Sequence, residues 1–409
     1  MSETSGETIL VTSNYWPEKH GISVFTQDLI KTLRGIGANP VVLTGLPYFP
    51  LGEFTLNNST PLSSESGPFG ERLFRYKHWV PKNSSAYSRI SFEFVTMVKG
   101  LIRSIQLPKQ EYARVVVYVP NISAAVVGLF LAKRHKIKAY IFIQDISFLA
   151  LSQTSMPGSK YFTQIAKRLE GAIFSRFDHI ATISVFMRNV LQSNLSLSNV
   201  AVIPNYTVIK TQKCVESQRE SRMKLGLNES DFFVIFTGSI GYKTNLEVFI
   251  NSAKETKNAM IKYLIFGSGP RLKYFQDLAS GLDNVIFFSS VQEGHYPFLL
   301  ASADVFFLGE YATQLGMSLP SKLFGYVNQE KPVIAAVPHL GPTADFISDK
   351  SLLFNPDDAH AIAVEIQNLH EDRDYYTLRA YQSKSISQRN NSDEPGASKV
   401  ISWITCNQD

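Results

Sequence analysis

Short apolar runs alternate with longer amphipathic segments along almost the whole chain. "TILVTS", "PVVLTG", "RVVVYVP", "KAYIFIQD" and "HIATIS" are short, rich in Val and Ile, and bounded by polar or Gly/Pro residues, a pattern that predicts buried strands. Between the first two, "SVFTQDLIKTLRGIG" places apolar side chains at Val24, Phe25, Leu29, Ile30 and Leu33 and ends on glycine. That spacing predicts a helix with its stop signal. Repeated β-α-β alternation predicts a parallel, doubly wound α/β sheet.

The pattern then pauses and restarts. A polar stretch, "KTQKCVESQRESRMKLGLNESD", separates "VAVIPNYTVI" from a second strand series: "FFVIFTGS", "KYLIFGSG", "NVIFFSS", "ADVFFLG" and "KPVIAAV". Two Rossmann-like halves follow, joined near residues 205 to 230. The expected boundaries are 1–205, 206–380 and 381–409. The last segment is expected to be irregular through "SKSISQRNNSDEPGAS" and then, through the apolar side of "KVISWITC", to pack back on the first half.

Composition narrows the class. At 409 residues the chain exceeds one core of usual size, which agrees with two domains. Its 44% hydrophobic and 18% charged content is that of a globular protein. "AAVVGLFLA" is too short to span a membrane, and "AYIFIQDISFLAL" is interrupted by Gln144 and Asp145. The two cysteines, Cys214 and Cys406, are too few for a disulfide framework, and "MSETSGET" does not read as a signal peptide. A cytoplasmic setting is expected.

The net charge of +5 is mild, yet eight Lys/Arg and one acid, Glu93, lie between Arg72 and Lys109. There Ile90, Phe94, Met97, Val98, Leu101 and Ile105 recur at helical spacing beside Arg89, Lys99 and Arg103. This predicts either a core-facing helix with a solvated side or a basic amphipathic surface suited to the inner membrane face. No nucleic-acid-binding pattern accompanies the charge.

Ligands on doubly wound sheets bind at the carboxyl ends of strands, so the loops there are the candidate chemistry. "NYWPEKHGISVF" carries Gly21 into a helix start, whose free N–H groups attract anions. "FTGSIGYKTNLEVFI" offers Gly238, Ser239, Gly241, Lys243 and Asn245, the lysine as a point charge for phosphate. "FGSGPRLKYFQDLA" offers Gly267, Gly269 and Arg271 at a second turn. "GMSLPSKLFGYVNQEKPVIAAV" places Pro320, Ser321, Lys322 and Leu323 at a helix start. Asp145, after "KAYIFIQ", could accept a proton. Each feature also fits a tight turn, a solvated lysine or a helix cap.

"ILVTSNYWPEKHGISVFTQDLIKTL", "FIQDIS", "FDHIATISVFMRNVL", "VAVIPNY", "FTGSIGYKTNLEVFI", "FGSGP", "ASADVFFL" and "LPSKLFGYVNQEKPVIA" occur in the order seen in retaining GT-B glycosyltransferases of family 4. The chain most resembles the branch that includes colanic-acid fucosyltransferase-like enzymes, and the resemblance covers nearly its whole length. It implies a GT-B fold of two Rossmann-like domains facing a cleft, an acceptor domain first and a nucleotide-sugar donor domain second. Gly21 is then placed at the cleft. Because such enzymes lack an Asp-x-Asp metal site, it implies no divalent ion and no cofactor beyond the donor, a UDP- or GDP-sugar.

Two departures stand out. Many members carry a Glu-x7-Glu pair, the later Glu binding ribose, where this chain has Met317 and Gly325; the usual Arg and Lys of the phosphate turn fall at Ser239 and Thr244. Lys243 and Lys322 remain as cations. The expectation is a membrane-associated enzyme passing a sugar to a polyprenyl-diphosphate-linked glycan in exopolysaccharide or O-antigen synthesis, with Asp145, Lys243 and Lys322 as catalytic residues. A nucleotide-sugar epimerase and a non-catalytic glycosyltransferase-like subunit are the alternatives.

Overall fold

The computed structural model describes residues 7–18, 21–48, 65–81, 86–119, 121–152, 159–206, 216–289, 291, 293–313, 319–390 and 396–406. Residue contacts divide the chain into two compact units: Met1–Val208 with Asp393–Asp409, and Ile209–Ser392.

The first unit runs β1 (Glu7–Thr12), α1 (Ile22–Gly35), β2 (Val41–Gly45), β3 (Glu65–Ser66), β4 (Arg72–Tyr76), α2 (Ala86–Ile105) and β5 (Tyr112–Val119). It continues through α3 (Ile122–His135), β6 (Lys138–Ile143), α4 (Ser147–Ser152), α5 (Ser159–Phe174), β7 (His179–Thr182), α6 (Val185–Leu195) and β8 (Val200–Val202). The sheet order is β3-β4-β2-β1-β5-β6-β7-β8. Only the β3–β4 pair is antiparallel. β1, β2, β5 and β6 are buried along nearly their whole length, as a parallel sheet covered on both faces requires.

Strand β4 escaped the apolar pattern because arginines interrupt "RLFRY". Leu73 and Phe74 are core residues, while Arg72 pairs with Glu7. Arg75 is itself buried, donating from Nη2 to the Trp16 carbonyl at 2.6 Å. Two of the eight cations in the basic stretch therefore serve the sheet.

Helix α2 divides the expected apolar stripe. Phe92, Thr96, Gly100 and Ser104 face inward, and a Cβ on Gly100 would stand 2.8 Å from Val127 of α3. Ile90, Phe94, Ile102 and Ile105 face outward, each 52 to 61% exposed.

The second unit runs α7 (Gln218–Lys224), β9 (Phe232–Thr237), α8 (Glu247–Glu255), β10 (Ile261–Phe266), α9 (Leu272–Leu278), β11 (Val285–Phe288) and α10 (Tyr296–Ser302). It continues through β12 (Val305–Gly309), α11 (Ser321–Val327), β13 (Val333–Ala336), α12 (Pro342–Ile347), β14 (Leu353–Phe354), α13 (Ala359–Glu371) and α14 (Arg373–Asn390). Its sheet, ordered β11-β10-β9-β12-β13-β14, is parallel throughout. Stacked Phe249 and Phe307, 4.4 Å apart, anchor α8 to β12.

The tail corrects one expectation. Residues 383–390, expected to be irregular, complete α14. Their sequence is polar, but Ser383 Oγ accepts from Val333 N at 3.0 Å and Ile386 is buried. Tertiary contacts thus hold a helix that its own pattern did not announce. The segment assigned to the first unit accordingly begins at Asp393, not near 381. Its helix α15 (Gly396–Cys406) packs against α1, and Arg114 Nη1 donates to Ile404 O at 2.6 Å.

Candidate functional site

In the second unit four adjacent strands, β10, β9, β12 and β13, end at one edge, and the loops leaving them converge there. The β9 and β10 turns are laced by backbone bonds: Gly238 N to Phe266 O at 2.9 Å, Ile240 N to Ser268 O at 2.9 Å, and Arg271 N to Ile240 O at 3.2 Å. The glycines are what permit this. A Cβ on Gly267 would lie 2.0 Å from Gly238 O, and one on Gly269 (φ 154) would lie 2.4 Å from Ile240 O. Their first role is backbone packing. Gly241 and Ser239 are less constrained, because a Cβ on Gly241 meets only Ser239 Oγ, at 3.7 Å.

Gly238 (φ 125) has a different neighbour. A Cβ there would stand 3.3 Å from Lys322 Nζ, whose ammonium also lies 3.7 Å from the Phe236 ring centroid. Helix α11 brings the lysine to this place. Pro320 is its N-cap and Ser321 its first residue, one position later than the sequence suggested. Tyr326 locks the helix to β9, its hydroxyl accepting from Thr237 N at 2.8 Å and its ring stacking on Phe306 at 4.4 Å.

Lys322 makes no hydrogen bond among the described residues. Burial pushes its ammonium down to about 7, against an opposing pull from Glu310. Lys243, on the β9 loop, is exposed and has no hydrogen-bond partner among the described residues. Two cations without a hydrogen bond among the described residues, beside a glycine turn, have the chemistry that suits an anion.

Glu310, absent from the sequence-derived set, sits at the end of β12. Its N–H bonds Ala336 O at 2.9 Å, and its backbone bridges Thr244. Thr343 donates to its Oε1 at 2.7 Å. Burial raises the carboxyl to about 7, opposed by that bond and by the charges of Lys322 and Lys243. The signal was available: an acid directly following the apolar run "ADVFFLG", at a strand's carboxyl end.

Other sequence-derived residues fall elsewhere. Leu323 is fully buried and its N–H bonds Pro320 O at 3.1 Å, so it supports α11. Arg271 is already engaged, donating from Nη2 to Glu247 at 2.8 Å and from Nη1 to Tyr311 while stacking 4.3 Å from the Tyr274 ring centroid. Asn245 caps α8, accepting from Val248 N at 3.2 Å. Gly325 lies buried within α11; Met317 and Cys214 lie outside the described residues.

Gly21 and Asp145 belong to the first unit. Gly21 (φ 61) precedes α1 and a Cβ there would touch nothing within 4 Å. Asp145 follows β6, accepting from Ile146 N at 2.8 Å. The chain's one Asp-x-Asp triplet, Asp372–Arg373–Asp374, is structural: Asp372 Oδ1 accepts from Asp374 N and Tyr375 N, each at 2.9 Å, at the start of α14.

Both units are Rossmann-like, the two-domain architecture of a GT-B fold. Residues 217–388, which make up most of the second unit, match the family described as glycosyl transferases group 1. Over 390 residues the chain is 24% identical to the Escherichia coli K12 protein WcaI, named as a glycosyl transferase of colanic acid biosynthesis, covering 92% of this chain and 95% of that one. Sucrose-phosphate synthase from Thermosynechococcus elongatus superposes with a TM-score of 0.75 at 16% identity, covering 98% of both chains. Anabaena HepE in complex with UDP-glucose gives 0.68 at 14% identity, covering 98% of this chain and 99% of that one. The resemblance read from the motifs holds for fold and class.

Proposed function

We propose that the protein is a retaining, metal-independent glycosyltransferase that moves a sugar from a UDP- or GDP-sugar to a polyprenyl-diphosphate-linked glycan, in exopolysaccharide or O-antigen assembly. The observation that carries the donor half is Lys322, an ammonium with no hydrogen bond among the described residues, held against Gly238 and the Phe236 ring. HepE's complexes with UDP and UDP-glucose and the name of WcaI support the donor class and the pathway type.

The chemical demand is a leaving nucleoside diphosphate. The bond from the sugar's anomeric carbon to the phosphate oxygen breaks, and the acceptor hydroxyl oxygen bonds that carbon from the same face. The hydroxyl proton passes to the departing phosphate. Lys322 and Lys243 stabilise the charge that grows on the diphosphate, the buried Lys322 where less water must reorganise.

Peripheral membrane association fits the outer face of α2. Ile90, Phe94, Ile102 and Ile105 are exposed there beside exposed Lys99. No helix among the described residues is long and apolar enough to cross a membrane.

Thermal shift with UDP, GDP, CMP and dTDP tests the donor assignment, because a ligand of the native state alone raises apparent stability. One diphosphate should stand out, and Lys322→Ala and Lys243→Ala should blunt its effect. Silence from the wild-type protein at millimolar nucleotide would remove the reading. Turnover without acceptor would point instead to an epimerase.

A further inference from the structure

We propose that Glu310 is a specificity residue of the donor site, its second carboxylate oxygen accepting a hydrogen bond from a ring hydroxyl of the nucleotide sugar. The inference rests on the reading of the second unit as the nucleotide-sugar domain and adds a contact to it.

The carboxylate is fixed at every other point. Its backbone is held by Ala336 on one side and Thr244 on the other, and Thr343 pins Oε1 at 2.7 Å. Oε2 has no hydrogen-bond partner among the described residues, and Glu310 as a whole is half-buried. No ion pair within 4.0 Å claims it among those residues either. Lys322 and Lys243 are near enough to act on it electrostatically without touching it.

A carboxylate set partly out of water with an empty acceptor oxygen is costly, and a ligand's O–H would recover part of that cost. Phosphate cannot take the place, because like charges repel. A carbohydrate hydroxyl can. Two cations near an orientationally fixed carboxylate match a molecule carrying both phosphate and hydroxyls. Ribose and the transferred sugar both supply such hydroxyls, and the experiment separates them.

Dissociation constants of UDP, UDP-glucose and 2′,3′-dideoxy-UDP would be measured by calorimetry at pH 7 for the wild type, Glu310→Gln and Glu310→Met, with the guanosine series substituted if GDP is the stabilising nucleotide. Glu310→Gln keeps an oxygen for Thr343 and so guards against misfolding. A charge-assisted hydrogen bond predicts roughly tenfold weaker binding to Glu310→Met and a smaller loss for Glu310→Gln. Loss for UDP but not its dideoxy analogue assigns the ribose; loss for UDP-glucose alone assigns the sugar. The proposal is overturned if folded variants bind all three ligands within about twofold of wild type, or bind them more tightly. It is also overturned if the dideoxy analogue weakens equally, since Glu310 would then act only through the lysines. A wild type that binds none of these nucleotides overturns the donor reading as well.

Discussion

The space that a side chain on Gly238 would need is bordered by the ammonium of Lys322, 3.3 Å from the missing Cβ. Residues far apart in sequence therefore depend on each other: the glycine leaves room for the cation that α11 brings against its turn. Gly238→Ala should displace Lys322 while straining a backbone at φ 125, costing about 1–3 kcal/mol. Denaturant melts would read the cost, and the nucleotide-induced thermal shift should shrink with it.

Gly267→Ala should be worse. Its Cβ would meet the carbonyl oxygen of Gly238 at 2.0 Å, backbone against backbone, which only a shift of both turns can relieve. A loss of about 3 kcal/mol is expected, in the range of severe steric changes. Gly241→Ala is the control. With only an ordinary contact to Ser239, it should stay within about 0.5 kcal/mol of wild type.

Donor binding should depend on pH through Lys322. Its ammonium titrates near 7 because burial disfavours the charge, so affinity for a nucleotide sugar should fall as pH rises from 6 to 8.5. Lys322→Met should flatten that profile. The stability effect has its own sign: the unfolded lysine keeps its proton up to about 10.4, so between about 7 and 10 the unfolded state binds more protons and this group's contribution to stability rises with pH. Glu310 runs the other way lower down. Raised to about 7, it holds a proton in the native state that the unfolded chain has lost, so its contribution is present below about 4.3 and lost as pH rises toward 7. Urea titrations of wild type and Glu310→Gln across pH 4.5–9 should separate the two slopes.

Phe94→Asp combined with Ile102→Asp should leave stability nearly unchanged, since both side chains are more than half exposed. Sedimentation with anionic vesicles should show binding reduced by tenfold or more, given about 1.5–3 kcal/mol for each large apolar side chain buried. Unchanged binding by the double variant would remove α2 as the membrane surface.

At the amino ends of the second unit's strands, Arg222 and Asp304 form a buried pair at 2.5 Å, and Asp304 also accepts from Phe233 N at 2.6 Å. Arg222→Ala removes the carboxylate's charge partner but leaves its bonds from Phe233 N and Gln218 Nε2, and should cost about 1.5–3 kcal/mol. Chemical denaturation measures it. Nucleotide affinity in the surviving folded fraction should be unaffected, because the pair lies at the strands' amino ends.

The strands with unbroken apolar runs, both sheets, and the turns bearing Gly238, Gly267 and Lys322 were legible in the sequence, because parallel strands buried on both faces must be continuously apolar and ligand loops must follow them. Local pattern ceased to inform wherever a distant partner changes a side chain's meaning. Arginines in β4 looked like surface charge until Trp16 and Glu7 received them. A polar segment became the end of α14 because Ser383 receives the N–H at the start of β13, and Leu323 and Arg271 gained structural partners that their local sequence did not announce. Glu310 shows the limit most plainly: its position at a strand end was readable, but only the packed loops gave its carboxylate one fixed oxygen, one open oxygen and two lysines nearby. Sequence determined which segments are apolar and where they break; the fold decided which polar groups are already spent on one another and which remain for a ligand.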